Sequence, residues 1–362
     1  MQFAGLNVGL VGPLAPPAGG MANQTQQLAE LLRASRASVT MVQTNSPYWP
    51  TWAGEIPGFR AIFRLVPFLL AVWRAAGKVD VVHLMANSGW AWHLFATPVI
   101  WVARLRRVPV VVNYRGGEAA DFLAHSHSLV RFSMRQVASL IVPSAFLEEV
   151  FAHFDMPARI VPNIIDLTRF HAREIRYSNS AHLVVARNLE PLYDNATALR
   201  AFKIVQSQWP GALLTIAGSG PEEGCLRELA AELRLGDTIR FAGRLDRDAM
   251  AALYRSADIV LNPSLADNMP NSVLEALASG VPVVSTNVGG VPYIVQDQVT
   301  ALLVPPTDPS AMAAACLHIL GDDGFWQRLS TAGLAEVQRY TWARVAPLLS
   351  NVYHQAVAAA RH

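Results

Sequence analysis

The chain has 362 residues, of which 52% are hydrophobic, and a formal net charge of +2. That length suits two domains, each with a sizeable core. Residues 1–170 carry 14 Lys and Arg against 9 Asp and Glu, which favours phosphate-rich or membrane-surface partners. No basic run or nucleic-acid module appears, so no nucleic-acid partner is expected.

The spacing of the cysteines and the length of the apolar runs predict the cellular compartment of the protein. Cys225 and Cys316 stand alone, outside any Cys-x-x-Cys spacing, so neither disulfides nor a zinc site is expected and a reducing cytoplasm fits. The N-terminus lacks a basic region and a cleavage site, which argues against a secretory signal. No apolar run reaches the roughly 18 residues that span a bilayer. We expect a cytoplasmic protein, with peripheral contact to the cytoplasmic face of the membrane left open.

The amino-terminal half alternates apolar runs with polar loops, as parallel α/β sheets do. Strands are predicted at residues 6–11, 80–84, 108–112, 140–143 and 159–162, and a helix at about 21–33. Gly19 and Gly20 end the loop before that helix, where glycine would allow a ligand to approach the backbone. A flexible loop ahead of an ordinary helix explains the pair equally well.

Aromatic and basic residues alternate between residues 48 and 78. They are Phe59, Phe63, Phe68 and Trp73 among Arg60, Arg64, Arg74 and Lys78. This pattern predicts either a helix on an anionic membrane surface or a core helix with a solvated basic edge. A second cluster slightly favours the membrane: Trp90, Trp92 and Trp101 with Arg104, Arg106 and Arg107.

The second half repeats the alternation of strands and helices. Strands are predicted at residues 182–186, 213–217, 239–242, 258–261, 281–286 and 299–304, and later helices at 308–320 and 340–361. We predict an amino-terminal domain over 1–170, a linker over 171–180, a second domain over 181–339 and a closing helix over 340–362.

The most informative segment runs from residue 262 to 292, where a strand leads through a polar loop into a short helix and a second strand. Backbone N–H groups at residues 271–273 begin that helix and suit phosphate oxygens. Asp267 and Glu275 lie eight positions apart and can flank the anion, accepting hydrogen bonds from vicinal hydroxyls. Alternatively, Asp267 caps the helix and Glu275 decorates an exposed face.

Two acids around Asn-x-Pro-Asn, followed by Glu-Ala-Leu-Ala-Ser-Gly-x-Pro-Val-Val, resemble the signature of the large retaining family of GT-B glycosyltransferases that use nucleotide sugars. The resemblance implies that Asp267 and the loop after it hold the donor sugar, that the loop amides hold the diphosphate and that Glu275 holds the ribose. The implied loop residues are Asn268, Met269, Pro270, Asn271, Ser272 and Val273. The family usually has Glu and Gly where this chain has Asp267 and Asn268, so the donor sugar stays open.

Other positions extend the resemblance. Arg187 matches an arginine on the donor diphosphate, whereas Leu192 and Tyr193 stand where a lysine is usual. Gly19 and Gly20 resemble the first glycine-rich loop, Gly218 and Gly220 a later glycine turn, and Arg244 lies in the segment that sandwiches the nucleotide base. Arg115 stands where the family usually has a histidine near the donor sugar.

Arg115 itself allows two interpretations. Its permanent charge and forked donors suit a phosphate or carboxylate on the acceptor. It is equally suited to an internal salt bridge with Glu118, three positions away.

The resemblance therefore implies two Rossmann-like α/β domains facing a central cleft. It also implies transfer of a sugar, with retention, from a nucleotide diphosphate sugar to a glycan or lipid-linked acceptor in cell-surface polysaccharide or glycolipid synthesis. We expect no cofactor and, without an Asp-x-Asp clamp, no metal requirement. A nucleotide-sugar epimerase and a non-catalytic sugar-nucleotide-binding scaffold are the alternatives, the second because of the missing lysine and of Arg115.

Overall fold

The computed structural model describes residues 2–16, 19–46, 60–172 and 181–360. The chain forms two compact units: unit 1, residues 1–164 and 342–362, and unit 2, residues 165–341. Each contains a six-stranded parallel sheet with helices, which confirms the predicted α/β class with two Rossmann-like domains. The chain passes from unit 1 to unit 2 after Ile164 and returns to unit 1 after Thr341; the sequence-based limits were 170 and 340. Most of the predicted linker, residues 173–180, lies outside the described residues.

Unit 1 has the strand order β2-β1-β3-β4-β5-β6. Its strands are β1 (Asn7–Gly12), β2 (Ser38–Gln43), β3 (Val81–Ala86), β4 (Val110–Tyr114), β5 (Ser139–Val142) and β6 (Arg159–Ile160). Its helices are α1 (Gly20–Ala34), α2 (Arg60–Ala76), α3 (Thr97–Leu105), α4 (Ala119–Met134), α5 (Ala145–His153) and α12 (Trp342–Ala360). Strands β3 and β4 are buried along their whole length, because helices cover both faces of a parallel sheet.

Helix α12 closes the core of unit 1. Leu349 and Tyr353 are buried in the same apolar cluster as Phe3 and Val111. The Tyr353 ring meets Phe3 edge-on, with ring centroids 6.0 Å apart. The last helix of the chain therefore stabilises the sheet formed by its first half.

Helix α2 buries one face and exposes another. Phe68 and Val72 lie in the core, 5% and 1% exposed, whereas Val66, Leu70 and Trp73 are exposed. These sets follow the helical repeat, so α2 is a core helix that also has an apolar outer face.

Two aromatic residues in the predicted membrane clusters are instead core residues. Phe68 packs edge-on against Phe95 with centroids 5.4 Å apart, and Trp92 is completely buried. The membrane interpretation was wrong for both, because alternating composition does not tell which face of a helix is buried. Phe59 and the side chain of Arg60 lie outside the described residues. Within the described ranges, no helix is long and apolar enough to cross a bilayer.

Unit 2 has the strand order β12-β11-β10-β7-β8-β9. Its strands are β7 (His182–Ala186), β8 (Leu213–Ala217), β9 (Ile239–Gly243), β10 (Ile259–Asn262), β11 (Val283–Thr286) and β12 (Leu302–Val304). Its helices are α6 (Asn195–Gln208), α7 (Glu223–Glu232), α8 (Arg247–Ser256), α9 (Asn271–Ala278), α10 (Pro309–Gly321) and α11 (Asp323–Val337). The order reverses between β7 and β10, and ligands of such sheets bind beyond the strand carboxyl ends at that switch point.

Candidate active site

Two predicted donor-site segments meet at the switch point of unit 2. Arg187 directly follows β7, and the loop containing Asp267 follows β10, which pairs with β7 in parallel register. Parallel pairing brings the carboxyl ends of the two strands together. Residues 80 positions apart in sequence therefore lie within hydrogen-bonding reach.

The Arg187 guanidinium is held on three sides. Nη2 forms an ion pair with the Asp267 carboxylate, and Nη1 donates to Ser272 Oγ at 3.3 Å. The Tyr193 ring lies beneath the guanidinium, 4.2 Å from its carbon, a favourable cation–π contact. Tyr193 stands where the family lysine was expected, so it supports the arginine instead of adding a second cation.

The Asp267 loop rests on a glycine pair that follows β11. The Gly290 N–H donates to the Asp267 carbonyl at 2.8 Å. A Cβ on Gly289 or Gly290 would clash with the backbone oxygens of Asp267 and Asn268. Glycine is required here because two backbones approach closely. The sequence indicated only that the pair ends a strand.

Helix α9 begins without a side-chain cap. Its N-cap residue is Pro270, and the Asp267 side chain instead contacts Arg187 and the Asn268 N–H, the latter at 3.0 Å. The alternative in which Asp267 merely caps the helix was therefore wrong. Met269 and Val273 have buried side chains, so they offer only backbone groups to a ligand. N–H groups of a first helical turn have no acceptor within the helix and attract anions.

Glu275 lies in the second turn of α9 and is partly enclosed. The Tyr254 hydroxyl donates to its Oε2 at 3.2 Å. Burial raises the pKa of Glu275 to about 7, although Tyr254, Arg247 and Arg187 oppose the shift. Burial also raises the pKa of Tyr254 well above its usual value, so the phenol remains a donor. The carboxylate is not the exposed helix decoration of the alternative interpretation.

Burial raises the pKa of Asp267 as well, and the neighbouring Arg187 opposes this shift. Removing a carboxylate from water disfavours its charge, whereas a cation in contact restores it. The cation and both acids therefore depend on one another electrostatically.

Two further candidates border this site in different ways. A Cβ on Gly218 or Gly220 would clash with the backbone oxygens of Arg187 and Leu189, so these glycines let the turn after β8 approach the segment that contains Arg187. Arg244 follows β9, is exposed, and has no hydrogen-bond or ion-pair partner among the residues that the structure describes. Its guanidinium is available to a ligand.

The remaining candidates lie in unit 1. Gly19 is the N-cap of α1 and Gly20 its first residue; a Cβ on Gly19 would meet nothing within 4 Å, so packing does not require glycine there. Arg115 follows β4 and hydrogen-bonds to amide oxygens of Asn113, Gln24 and Asn163. Glu118, its alternative partner, is exposed at the N-cap of α4.

Comparison with known proteins assigns the family. Residues 181–322 match the model for glycosyl transferases group 1, and residues 18–169 match the model for glycosyltransferase family 4. Together these matches include most of both units.

Similar proteins support the assignment over most of the chain. Glycogen synthase from Mycobacterium tuberculosis is 30% identical, with 76% of this chain and 69% of that protein aligned. Phosphatidyl-myo-inositol mannosyltransferase from Mycobacterium leprae is 27% identical over 96% of each chain. The structure of Anabaena Alr3699/HepE in complex with UDP-glucose has a TM-score of 0.72 at 15% identity, covering 96% of this chain and all of that one. The chain therefore belongs to the group 1, family 4 glycosyltransferases of the GT-B fold.

Proposed function

We propose that this glycosyltransferase moves a sugar, with retention, from a nucleoside-diphosphate sugar to a glycan or lipid-linked acceptor in cell-surface polysaccharide or glycolipid synthesis. The observation that supports the donor class is the convergence of Arg187, Asp267, Glu275 and the first turn of α9 in unit 2. An anion site with a carboxylate on either side suits a diphosphate between two hydroxyl-bearing groups. The donor complex of the similar Anabaena protein agrees with this class.

Each group has a distinct role in the proposal. Asp267 and the adjacent loop amides bind the sugar, and the amides of Asn271, Ser272 and Val273 bind the diphosphate together with Arg187. Glu275 accepts hydrogen bonds from the ribose hydroxyls. Arg244 and the Gly218 turn lie towards the base in this arrangement.

Departure of the nucleoside diphosphate places negative charge on its terminal phosphate. Arg187 and the amides at the start of α9 stabilise that charge, which increases in the transition state. The bond from the anomeric carbon to the diphosphate breaks, the bond to the acceptor oxygen forms on the same face, and the hydroxyl proton passes to the leaving phosphate. The acceptor is bound by the amino-terminal domain.

Formation of nucleoside diphosphate from a donor, measured with the purified protein, tests this function. Candidate donors are incubated with and without lipid-linked acceptors, and acceptor-dependent release together with a glycosylated product is the expected result. A free epimer formed without acceptor would support the epimerase instead. Tight donor binding without turnover across the acceptor panel would support the scaffold.

The same proposal predicts that activity does not require a metal ion. Arg187 and the helix amides supply the positive charge that a bound cation supplies to the leaving phosphate in metal-dependent enzymes. We expect EDTA to leave the initial rate within about twofold of the untreated enzyme. Complete loss that added Mg²⁺ or Mn²⁺ restores would contradict this prediction.

We also propose that unit 1 binds the surface of anionic membranes through the outer face of α2. Leu70 and Trp73 are 49% and 43% exposed there, and the Arg106 guanidinium lies 4.9 Å from the centroid of the Trp73 ring. Apolar side chains next to cations suit insertion between anionic headgroups.

Vesicle sedimentation tests this surface. Because each large apolar side chain contributes about 1.5–3 kcal/mol when buried, we expect Leu70→Gln with Trp73→Gln to weaken binding to phosphatidylglycerol vesicles at least tenfold. Leu213→Gln, which changes an exposed leucine of unit 2, is the matched control. Equal binding by the control and the double variant would refute the proposed surface.

A further inference from the structure

The Arg187 guanidinium is enclosed, yet it keeps donors that a ligand can use. Only 10% of its side-chain surface is exposed. Nη2 forms the ion pair with Asp267, and Nη1 donates to Ser272 Oγ at 3.3 Å. Each of these terminal nitrogens carries a second N–H. A phosphate can therefore bind the guanidinium, provided that the group keeps its orientation when its hydrogen bonds change.

Binding of a diphosphate must change those hydrogen bonds. The Asp267 side chain is itself only 13% exposed, and a phosphate oxygen on Arg187 is a second anion beside this carboxylate. Two anions that share one cation in an enclosed site repel each other. The Arg187 donors are therefore redistributed between carboxylate and phosphate when the donor binds, and the ion pair alone does not fix the guanidinium.

The Tyr193 ring holds the guanidinium in a different way. The guanidinium carbon lies over the ring, 4.2 Å from its centroid. This cation–π contact attracts the charge as a whole, so it does not require a particular N–H group and does not depend on which oxygens those groups meet. The ring can therefore keep Arg187 in place while its hydrogen bonds are exchanged.

The backbone holds Tyr193 in this position independently of Arg187. The residue ends a short 3₁₀ turn, Pro191–Tyr193, which begins with proline. The Leu265 N–H donates to the Leu192 carbonyl at 2.8 Å, and this bond ties the turn to the loop after β10. Asp194 follows as the N-cap of α6, and its side chain accepts from an N–H of the first helical turn. The ring is therefore attached to two elements of the donor domain.

We propose that Tyr193 is a positioning residue of the donor site, whose ring keeps Arg187 directed at the leaving diphosphate throughout the reaction. This inference rests on the proposed function, which gives Arg187 the role of stabilising leaving-group charge. It adds that the role requires an aromatic ring at position 193. A preoriented charge stabilises a transition state better than one that must reorient.

Steady-state kinetics of three variants tests the need for the ring. Tyr193→Phe keeps the ring and should keep kcat within about twofold. Tyr193→Leu removes the ring and should lower kcat by about 5- to 30-fold, the range expected for an enclosed cation–π contact, with a smaller change in KM. Phe325→Leu is the control, since it removes a ring that contacts Arg328 in α11, and it should leave kcat unchanged.

A double-mutant cycle tests whether Tyr193 acts through Arg187. In the Arg187→Gln protein, Tyr193→Leu should change kcat by less than about twofold, because no cation remains to be positioned. A ring that only stabilises the fold would lower kcat equally in both backgrounds. Equal losses in both backgrounds would overturn the proposal. A loss in Tyr193→Phe as large as that in Tyr193→Leu would also overturn it.

A spectroscopic measurement reports the contact without turnover. In ¹⁵N-arginine-labelled protein, the Arg187 Nε–H signal is identified by its absence from the Arg187→Gln spectrum. It should move in Tyr193→Leu, which loses the ring current, and stay close to its place in Tyr193→Phe and Phe325→Leu. An unmoved signal in Tyr193→Leu would overturn the proposal. A signal that behaves as expected in a protein that transfers no sugar would overturn the proposed function, and with it the catalytic part of this inference, while the contact itself would stand.

Discussion

Arg187→Gln is expected to lower kcat by about 10²- to 10³-fold, the usual cost of removing one group that stabilises developing transition-state charge. Arg187 is the side-chain cation that the β7–β10 switch point places beside the start of α9. Leaving-group charge forms only as the glycosidic bond breaks, so the loss should appear in kcat more than in KM. Steady-state kinetics with the identified donor measures both.

Arg187→Gln also leaves the Asp267 carboxylate without its cation. A second substitution at Asp267 therefore separates the loss of stability from the loss of kcat. An enclosed charge that loses its partner is destabilising by about 3–5 kcal/mol. Asp267→Asn added to Arg187→Gln should recover part of that stability without recovering kcat. Arg200→Gln, at an exposed position of α6, should change neither. A kcat within threefold of the unaltered enzyme in Arg187→Gln would show that the diphosphate is stabilised elsewhere.

Glu275→Gln is expected to weaken nucleoside-diphosphate affinity by about 10- to 100-fold, because hydrogen bonds to a charged acceptor contribute about 1.5–3 kcal/mol. Glutamine keeps the shape of the side chain and can still accept from Tyr254. It loses the negative charge that two ribose hydroxyls would share. Calorimetric titration of both proteins with the nucleoside diphosphate compares the affinities directly.

The pH dependence of stability distinguishes this enclosed carboxylate from an exposed one. Burial raises the folded pKa of Glu275 from 4.5 to about 7, so between these values the folded protein binds more protons than the unfolded chain. Stability therefore falls as pH rises from about 4.5 to 7, by up to about 3 kcal/mol.

Glu275→Gln should remove that loss, and the variant should gain stability relative to the unaltered protein between pH 5 and pH 8. Urea unfolding at both pH values measures the difference. Identical pH profiles would mean that Glu275 is solvated, and its proposed role would then lose its physical basis.

The strand, loop and helix arrangement of residues 262–292 was predictable from sequence because its parts are local. A strand, a polar loop and a helix start lie within about thirty residues, and the two acids are in that stretch. The partners were not predictable in the same way. Arg187 meets Asp267 because β7 pairs with β10, and sequence periodicity does not reveal strand order.

Side chains that support the site from other elements were missed for the same reason. Tyr254 reaches Glu275 from α8, and Tyr193 lies under Arg187 from a turn before α6. Each is an ordinary aromatic residue in its own segment. Only the fold brings these rings beside charged groups. The close approach of two backbones at Gly289 and Gly290 was indicated in the sequence only by the position of this glycine pair directly after a predicted strand.

Two predictions for the amino-terminal half were wrong or missing: which face of helix α2 is buried, and the strand at the edge of the sheet. Residues 66, 70 and 73 share one face of α2 while 68 and 72 share the other, and aromatic content alone did not separate them. Strand β2 was not predicted, since Ser38, Thr40 and Gln43 interrupt its apolar residues. Among the strands that the structure describes, it pairs with β1 alone, at the edge of the sheet, where a continuous apolar run is not needed.

Hydrogen–deuterium exchange of the full chain with a bound nucleoside diphosphate tests the account most directly. UDP, GDP and ADP are first compared by thermal shift, since a ligand that binds the folded state raises its apparent stability. With the ligand that stabilises the protein, protection should be concentrated in residues 187–193 and 264–278, and Glu275→Gln should reduce it at the same ligand concentration. Protection confined to unit 1, or unchanged by Glu275→Gln, would contradict a donor site at the β7–β10 switch point.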